Sequence, residues 1–239
     1  DGYRLWIRDA ADLAVVAAPR PGAPPGVSSP SPTATSGPAV QAISAVLRLP
    51  GGSVRIEAVV TIPATLLDAS GRRLIVQDAS GAVELLLPAG RAAPRPGMRV
   101  EVDGEIGTAY GAPRIRATSV RVLGAAAVPE ARALPREPGS ADEGELVRIE
   151  GRVVDLQRLG DRWRAEVRVL GATIVVAGLA GAGIPAATVA EGAEITVTGV
   201  VRRPHPAATD RRFAVVPRGP ADVRVGKAAA GTRPGNPGR

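Results

Sequence analysis

Cysteine is absent from this 239-residue chain, which excludes a disulfide framework and a thiolate metal site. A single histidine, His205, removes multi-histidine metal centres and most histidine-dependent catalysis. Aromatics are scarce, with two Trp, two Tyr and one Phe. Any core must therefore be built from Val, Ile, Leu and Ala, a composition that favours strands. The chain has no secretory apolar segment and no apolar run of about 18 residues, so no membrane insertion is expected. It also lacks an initiating Met, as expected of a piece of a longer protein. Lys227 is the one lysine, which points to a GC-rich genome more than to a mechanism. A phosphate-cradling loop, a metal cluster and a nucleophile–base pair are all missing, so a non-enzymatic protein without a cofactor is expected.

What the chain does have is basic charge, +7 net. Its distribution matters more than its size. Residues 18–52 hold two of the net charges and 227–239 hold three, so the segments expected to fold are only mildly basic. Residues 18–42 are dominated by Pro, Ala, Ser, Thr and Gly and read as a semi-extended linker. Residues 227–239 read as a disordered basic tail.

Between them lie two sets of short β-branched runs bounded by Gly, Pro or Asp. The first is VRIEAVVTI (54–62), RRLIVQ (72–77), AVELLL (82–87), MRVEVDGEI (98–106) and PRIRATSVRVL (113–123). The second is LVRIEGRVVDL (146–156), RWRAEVRVL (162–170), ATIVVAGL (172–179), EITVTGVV (194–201) and FAVVPRGPADVRV (213–225). A helix-permissive GIPAATVAEG (183–192) stands before the fourth run of the second set and leaves room for a small helix there. SVRIEAVV resembles LVRIEGRVV, and GMRVEVDGEI resembles GAEITVTGVV, which makes the sets copies of one unit. Tyr3, Trp6, Asp12, Leu13 and Val15 match Phe213, Val216, Asp222, Val223 and Val225, so residues 1–17 read as the last strand of a truncated preceding domain. A short helix through RDAADLAVV is the competing reading.

Five strands with a long connection after the third is the order of an OB-fold barrel. The runs VRIEAVVTIP, VQDASGAVELLLP and GMRVEVDGEIG resemble bacterial OB-fold modules of extracellular or surface proteins, found beside lamin-tail or secreted nuclease domains. Ala58 stands where those modules usually have Gly, and Arg99 where they usually have Asp. The resemblance spans residues 43–226 and its motifs are structural, so it implies a fold more than an activity. The expected organisation is an all-β pair of Greek-key barrels, domain 1 at 43–124 and domain 2 at 145–226, with a linker at 125–144. The resemblance implies an extracellular or surface location. It also implies a non-catalytic module that binds single-stranded or duplex DNA with little sequence selectivity and adjoins further domains. A spacer that presents neighbouring domains is the alternative.

The tetrapeptide Asp-Ala-Ser-Gly occurs at 68–71 and again at 78–81. With no base or oxyanion hole in sight, it reads as turn chemistry, Asp bonding backbone amides and Gly accepting positive φ. Alternation places Trp163 with Ala165, Val167 and Val169 on an inward face. Phe213 reads as core in the same way. Tyr110 is the one aromatic whose setting, GTAYGAPR, suggests exposure. Arg202, Arg203, His205, Arg211 and Arg212 form the best basic cluster. Arg114 and Arg116 on the last strand of the first copy, with Arg72 and Arg73, form a second. The outward row Arg99, Glu101, Asp103 and Glu105 would repel phosphate. Arg148, Glu150 and Arg152 are placed to oppose Arg164, Glu166 and Arg168 as ion pairs.

Overall fold

A computed structural model describes residues 39–226. The strand expected over 1–17, most of the linker 18–42 and the tail 227–239 lie outside the described residues. The first barrel comprises β1 (Val40–Gln41), β2 (Gly52–Val60), β3 (Arg73–Asp78), β4 (Gly81–Leu86), β5 (Met98–Ala109) and β6 (Ala112–Ala125). Alternation does the work in β2: Val54, Ile56, Ala58 and Val60 are buried, while Arg55, Glu57 and Val59 are only half-buried. β2 pairs antiparallel with β3 and β5, β3 with β4, and β5 with β6, and the parallel pair β4–β6 closes the ring. The short β1, at the end of the expected linker, lies parallel along β2. One helical turn, α1 (Ile43–Val46), buries Ile43 and Val46 in the barrel core.

The second barrel repeats this plan with β7 (Arg132–Ala133), β8 (Leu146–Leu159), β9 (Arg162–Val169), β10 (Ala172–Gly178), β11 (Glu194–Arg202), β12 (Ala214–Val216) and β13 (Val223–Val225). The parallel pair is now β10–β12, and β11 closes onto β8. Strand order 1-2-3-5-4 with parallel third and fifth strands, closed by the first and fourth, is the OB-fold, here present twice. Gly104 and Gly199 confirm the repeat. They hold equivalent places, and a Cβ on either would lie 2.4 or 2.5 Å from a carbonyl oxygen of the fifth strand, Arg116 O or Val216 O.

In three segments the structure adds detail that the sequence patterns do not carry. In place of a helix before β11 there are two 3-10 turns, Ala180–Ala182 and Ala186–Thr188. Gly183 at φ +60 and Pro185 interrupt any longer helix there. The last run of the second set is two strands, broken by a 3-10 turn at Pro220–Asp222 and Arg218, which grips Asp222 at 2.8 Å. Within the expected linker 125–144, β7 pairs with β8 and Leu134 is buried. There Asp142, 2% exposed, accepts from Arg132, Arg136 and the Gly139 amide.

The Asp-Ala-Ser-Gly segments are turns. Asp68 Oδ1 accepts the Ser70 amide at 2.8 Å, and Asp78 Oδ1 accepts those of Ser80 and Gly81. Asp78 does more, since its Oδ2 accepts the Ile43 amide at 2.8 Å and so caps α1 from a distant turn. Trp163 is buried and its Nε1 donates to Ile184 O. Phe213 is only partly buried against the same core.

The two barrels share a core. Ile62, Leu66, Ile75 and Ala82, all from the first, belong to the second barrel's apolar cluster. Ile75 and Ala82 lie on the outward face of β3–β4, so the second barrel is packed on the strand 2–3 face of the first. The amide of Leu146 donates to Gln77 Oε1 there at 3.0 Å, and Arg218 donates to Thr61 O. Gly181 allows the approach, because a Cβ would stand 2.2 Å from Thr65 O. No helix among the described residues is long and apolar enough to cross a membrane.

Candidate nucleic-acid interface

Beside this junction opens a cleft of about 460 Å³. Its floor is apolar, built from residues such as Leu67, Val175, Ala177 and Leu179, and its walls carry arginines from both barrels. Seven of the ten residues singled out in the sequence line it. Arg73 enters from β3 and Arg114 from β6. Arg202 and Arg203 come from the end of β11 and the loop after it, and His205 and Arg212 from that same loop. Tyr110 stands on the β5–β6 hairpin, 62% exposed, where its φ of +55 and that of Gly111 at +78 make the tight turn. The Tyr110 and His205 rings are 5.6 Å apart, and the Arg114 guanidinium sits 5.7 Å from the Tyr110 centroid. The strand 4–5 loops of both barrels thus meet at one mouth.

Three of the ten do not join them. Arg72 donates to Leu87 O at 2.9 Å and holds the end of β4. Arg116 is exposed on a neighbouring groove, directly across the ladder from Glu105. Arg211 donates to Pro206 O and lines a small cleft with Glu137 and Phe213.

Carboxylates are set among the cleft arginines. Glu84, on β4, faces Arg73, Arg114 and Arg202 at 2.9, 2.7 and 2.8 Å. Burial pushes its carboxyl up, but the Arg73 hydrogen bond and the charges of Arg202, Arg73 and Arg114 outweigh that and hold it below its ordinary value. Asp210 is bound by Arg212 and Arg164. The Arg212 hydrogen bond, aided by that residue's amide and the Arg164 charge, takes its carboxyl down to about 2 despite burial. Glu143 accepts from Arg203, and Glu166 from Arg212. Six arginines and two acids line the cleft, with Glu143 and Glu166 just behind. Among the described residues, no three His, Asp or Glu side chains gather so as to hold a metal ion.

Sequence reasoning missed Glu84, Arg164 and Asp210. Glu84 carried a signal, as the sole charge within AVELLL at an outward position. Asp210 had none, because the fold of its loop sets its reach. The expected acidic row is neutralised, Asp103 by Arg55 at 2.6 Å and Glu101 by Arg121 at 2.8 Å, and Arg99 pairs with Glu57 at 3.3 Å. The expected ladder of ion pairs between β8 and β9 does not form. The register of the two strands leaves Arg148 and Glu150 without a partner in β9 and sets Arg152 opposite Arg168 and, past a bulge, Asp155 opposite Glu166.

No protein-family profile and no curated protein matches the chain. Solved structures with a similar fold include a murine DNA-binding protein bound to double-stranded DNA. It is 16% identical with a TM-score of 0.37, over 75% of this chain and 98% of that one. Fission yeast Pot1 with single-stranded DNA gives 9% identity and 0.39, over 82% and 90%. The hypothetical protein ygiW of E. coli gives 19% and 0.30, over 37% and 96%. These TM-scores lie below 0.5, and the fold assignment rests on the strand order and pairing above.

Proposed function

We propose that the chain is a non-catalytic DNA-binding module, and that single-stranded DNA is gripped in the cleft between the barrels. One observation carries this reading: six arginines and an exposed tyrosine from two barrels converge on one apolar-floored cleft. Guanidinium groups neutralise phosphate and aromatic faces stack bases of any identity, so little sequence selectivity is expected. The volume falls in the range of small-ligand sites, roughly 300–1,000 Å³, which suits a splayed nucleotide and not a duplex. The resemblance noted in the sequence favours an accessory role in a larger extracellular or surface bacterial protein.

The test is fluorescence anisotropy of the full chain against labelled single-stranded and duplex oligonucleotides at low and physiological salt. Saturable, salt-sensitive binding that weakens in Tyr110→Ala and Arg203→Gln is expected. Absence of saturable binding at low salt, where charge attraction is strongest, would overturn the proposal. So would binding indifferent to both substitutions, which would belong to the basic tail.

A spacer role is the second reading, favoured by the shared core, which fixes the barrels as one body. It predicts no ligand at any salt.

A further inference from the structure

Charges in the cleft cancel pairwise except at one place. Arg203 is matched by Glu143, and Arg164 and Arg212 by Asp210 and Glu166. Glu84 instead faces three guanidinium groups alone. Asp68 stands 3.7 Å from Arg73 and is the only other carboxylate paired with this ring among the described residues. Between one and two positive charges therefore stay unmatched on Arg73, Arg114 and Arg202, whose side chains are only 24%, 16% and 15% exposed. Excess charge held away from bulk water is costly unless a counter-ion joins it. A second observation points the same way. Arg114 Nε is buried and has no acceptor among the described residues, whereas buried donors are normally satisfied.

We infer that this ring is a phosphomonoester subsite, taking the terminal phosphate of a strand or of a free mononucleotide. A phosphomonoester carries roughly 1.5 to 2 negative charges near neutral pH, which matches the unmatched charge. An internal phosphodiester carries one. Planar guanidinium forks also suit its three acceptor oxygens. Glu84 remains as the fixed partner that keeps the arginines spread when the subsite is empty. Tyr110, beside Arg114 at the same mouth, is placed to stack the adjoining base. Only that last contact rests on the nucleic-acid reading. The phosphate follows from the arginines alone.

The experiment uses the full chain and single-stranded oligonucleotides ending in a 5′-phosphate, a 3′-phosphate or hydroxyls only. A mononucleotide and its parent nucleoside are titrated in parallel by calorimetry. A preference of about tenfold or more for a phosphate-ended strand is expected, abolished in Arg114→Gln and Arg202→Gln. In the wild type, phosphate at matched ionic strength should raise the melting temperature above that in chloride, a measurement that needs no variant to fold. Equal affinity for phosphate and hydroxyl ends, with no mononucleotide binding, would overturn the subsite and leave the nucleic-acid proposal standing. Mononucleotide binding without strand binding would support the subsite and sink that proposal. A phosphate preference untouched in folded variants would also overturn the subsite.

Discussion

Glu84 of the first barrel and Arg202 of the second meet at 2.8 Å, and the Glu84 side chain is 4% exposed. One buried carboxylate thus ties the barrels together electrostatically at the wall of the cleft. Replacing it with Gln, which keeps the shape, leaves three guanidinium groups without their shared anion. Glu84→Gln should destabilise the protein by about 3 kcal/mol, as breaking a buried pair does, read as a lower urea midpoint. The same variant should gain affinity for phosphate-ended ligands, because the arginines it frees still need an anion.

Tyr110→Ala removes an exposed ring from a turn and touches no core, so the melting temperature should hold. Affinity for single-stranded DNA should fall by about 1–3 kcal/mol if a base stacks there. Anisotropy on the two proteins side by side decides it.

Salt gives an independent count of the arginines engaged. In a plot of log affinity against log salt, each phosphate contact on a single strand contributes a slope of about −0.7. Arg202→Gln should flatten the slope by about that much. An unchanged slope would place the phosphates elsewhere.

Acid should loosen the joint between the barrels. Burial works against the Asp142 carboxylate, yet hydrogen bonds from Arg136, the Gly139 amide and Arg132 bring it from 3.8 down to about 2. A carboxyl held lower when folded than unfolded contributes stability that is complete above its unfolded value. That stability is lost as pH falls through its folded value. Asp142 should therefore supply about 2 kcal/mol at neutral pH, disappearing between about pH 4 and pH 2. Asp210 titrates in the same window. Urea midpoints across that range should fall less steeply for Asp142→Asn than for the wild type.

Gly181→Ala probes the junction directly. The new Cβ would collide with the Thr65 carbonyl and the Leu66 Cα, backbone that cannot swing aside. A loss of about 1–3 kcal/mol is expected, with both barrels affected because they share a core. Two separate unfolding transitions in the wild type would contradict that coupling.

Strand positions, the duplication, the burial of Trp163 and the turn role of both Asp-Ala-Ser-Gly segments were legible because each depends on local alternation or a local backbone need. So was most of the arginine cluster, since strand ends and loops place those residues at the rim. The partner of Arg202 was not. Glu84 lies more than a hundred residues away, and its neighbour is decided by how one barrel docks on another. The row expected to pair across β8 and β9 failed for a related reason. The Gly160–Asp161 turn sets the register between these strands, so β9 reaches back only to Arg152, and Arg148 and Glu150 have no partner in it.

The loop between β11 and β12 has a consequence for assembly. Each barrel could in principle receive another on its strand 2–3 face, as the first receives the second, and such head-to-tail docking has no built-in end. On the second barrel that face is already claimed. Ion pairs from Arg164 to Asp210 and from Arg212 to Glu166 strap the loop across it, and Val175 beneath is 2% exposed. The two copies of one fold therefore present different surfaces at the same place, one covered by the neighbouring barrel and the other in part by a loop of its own.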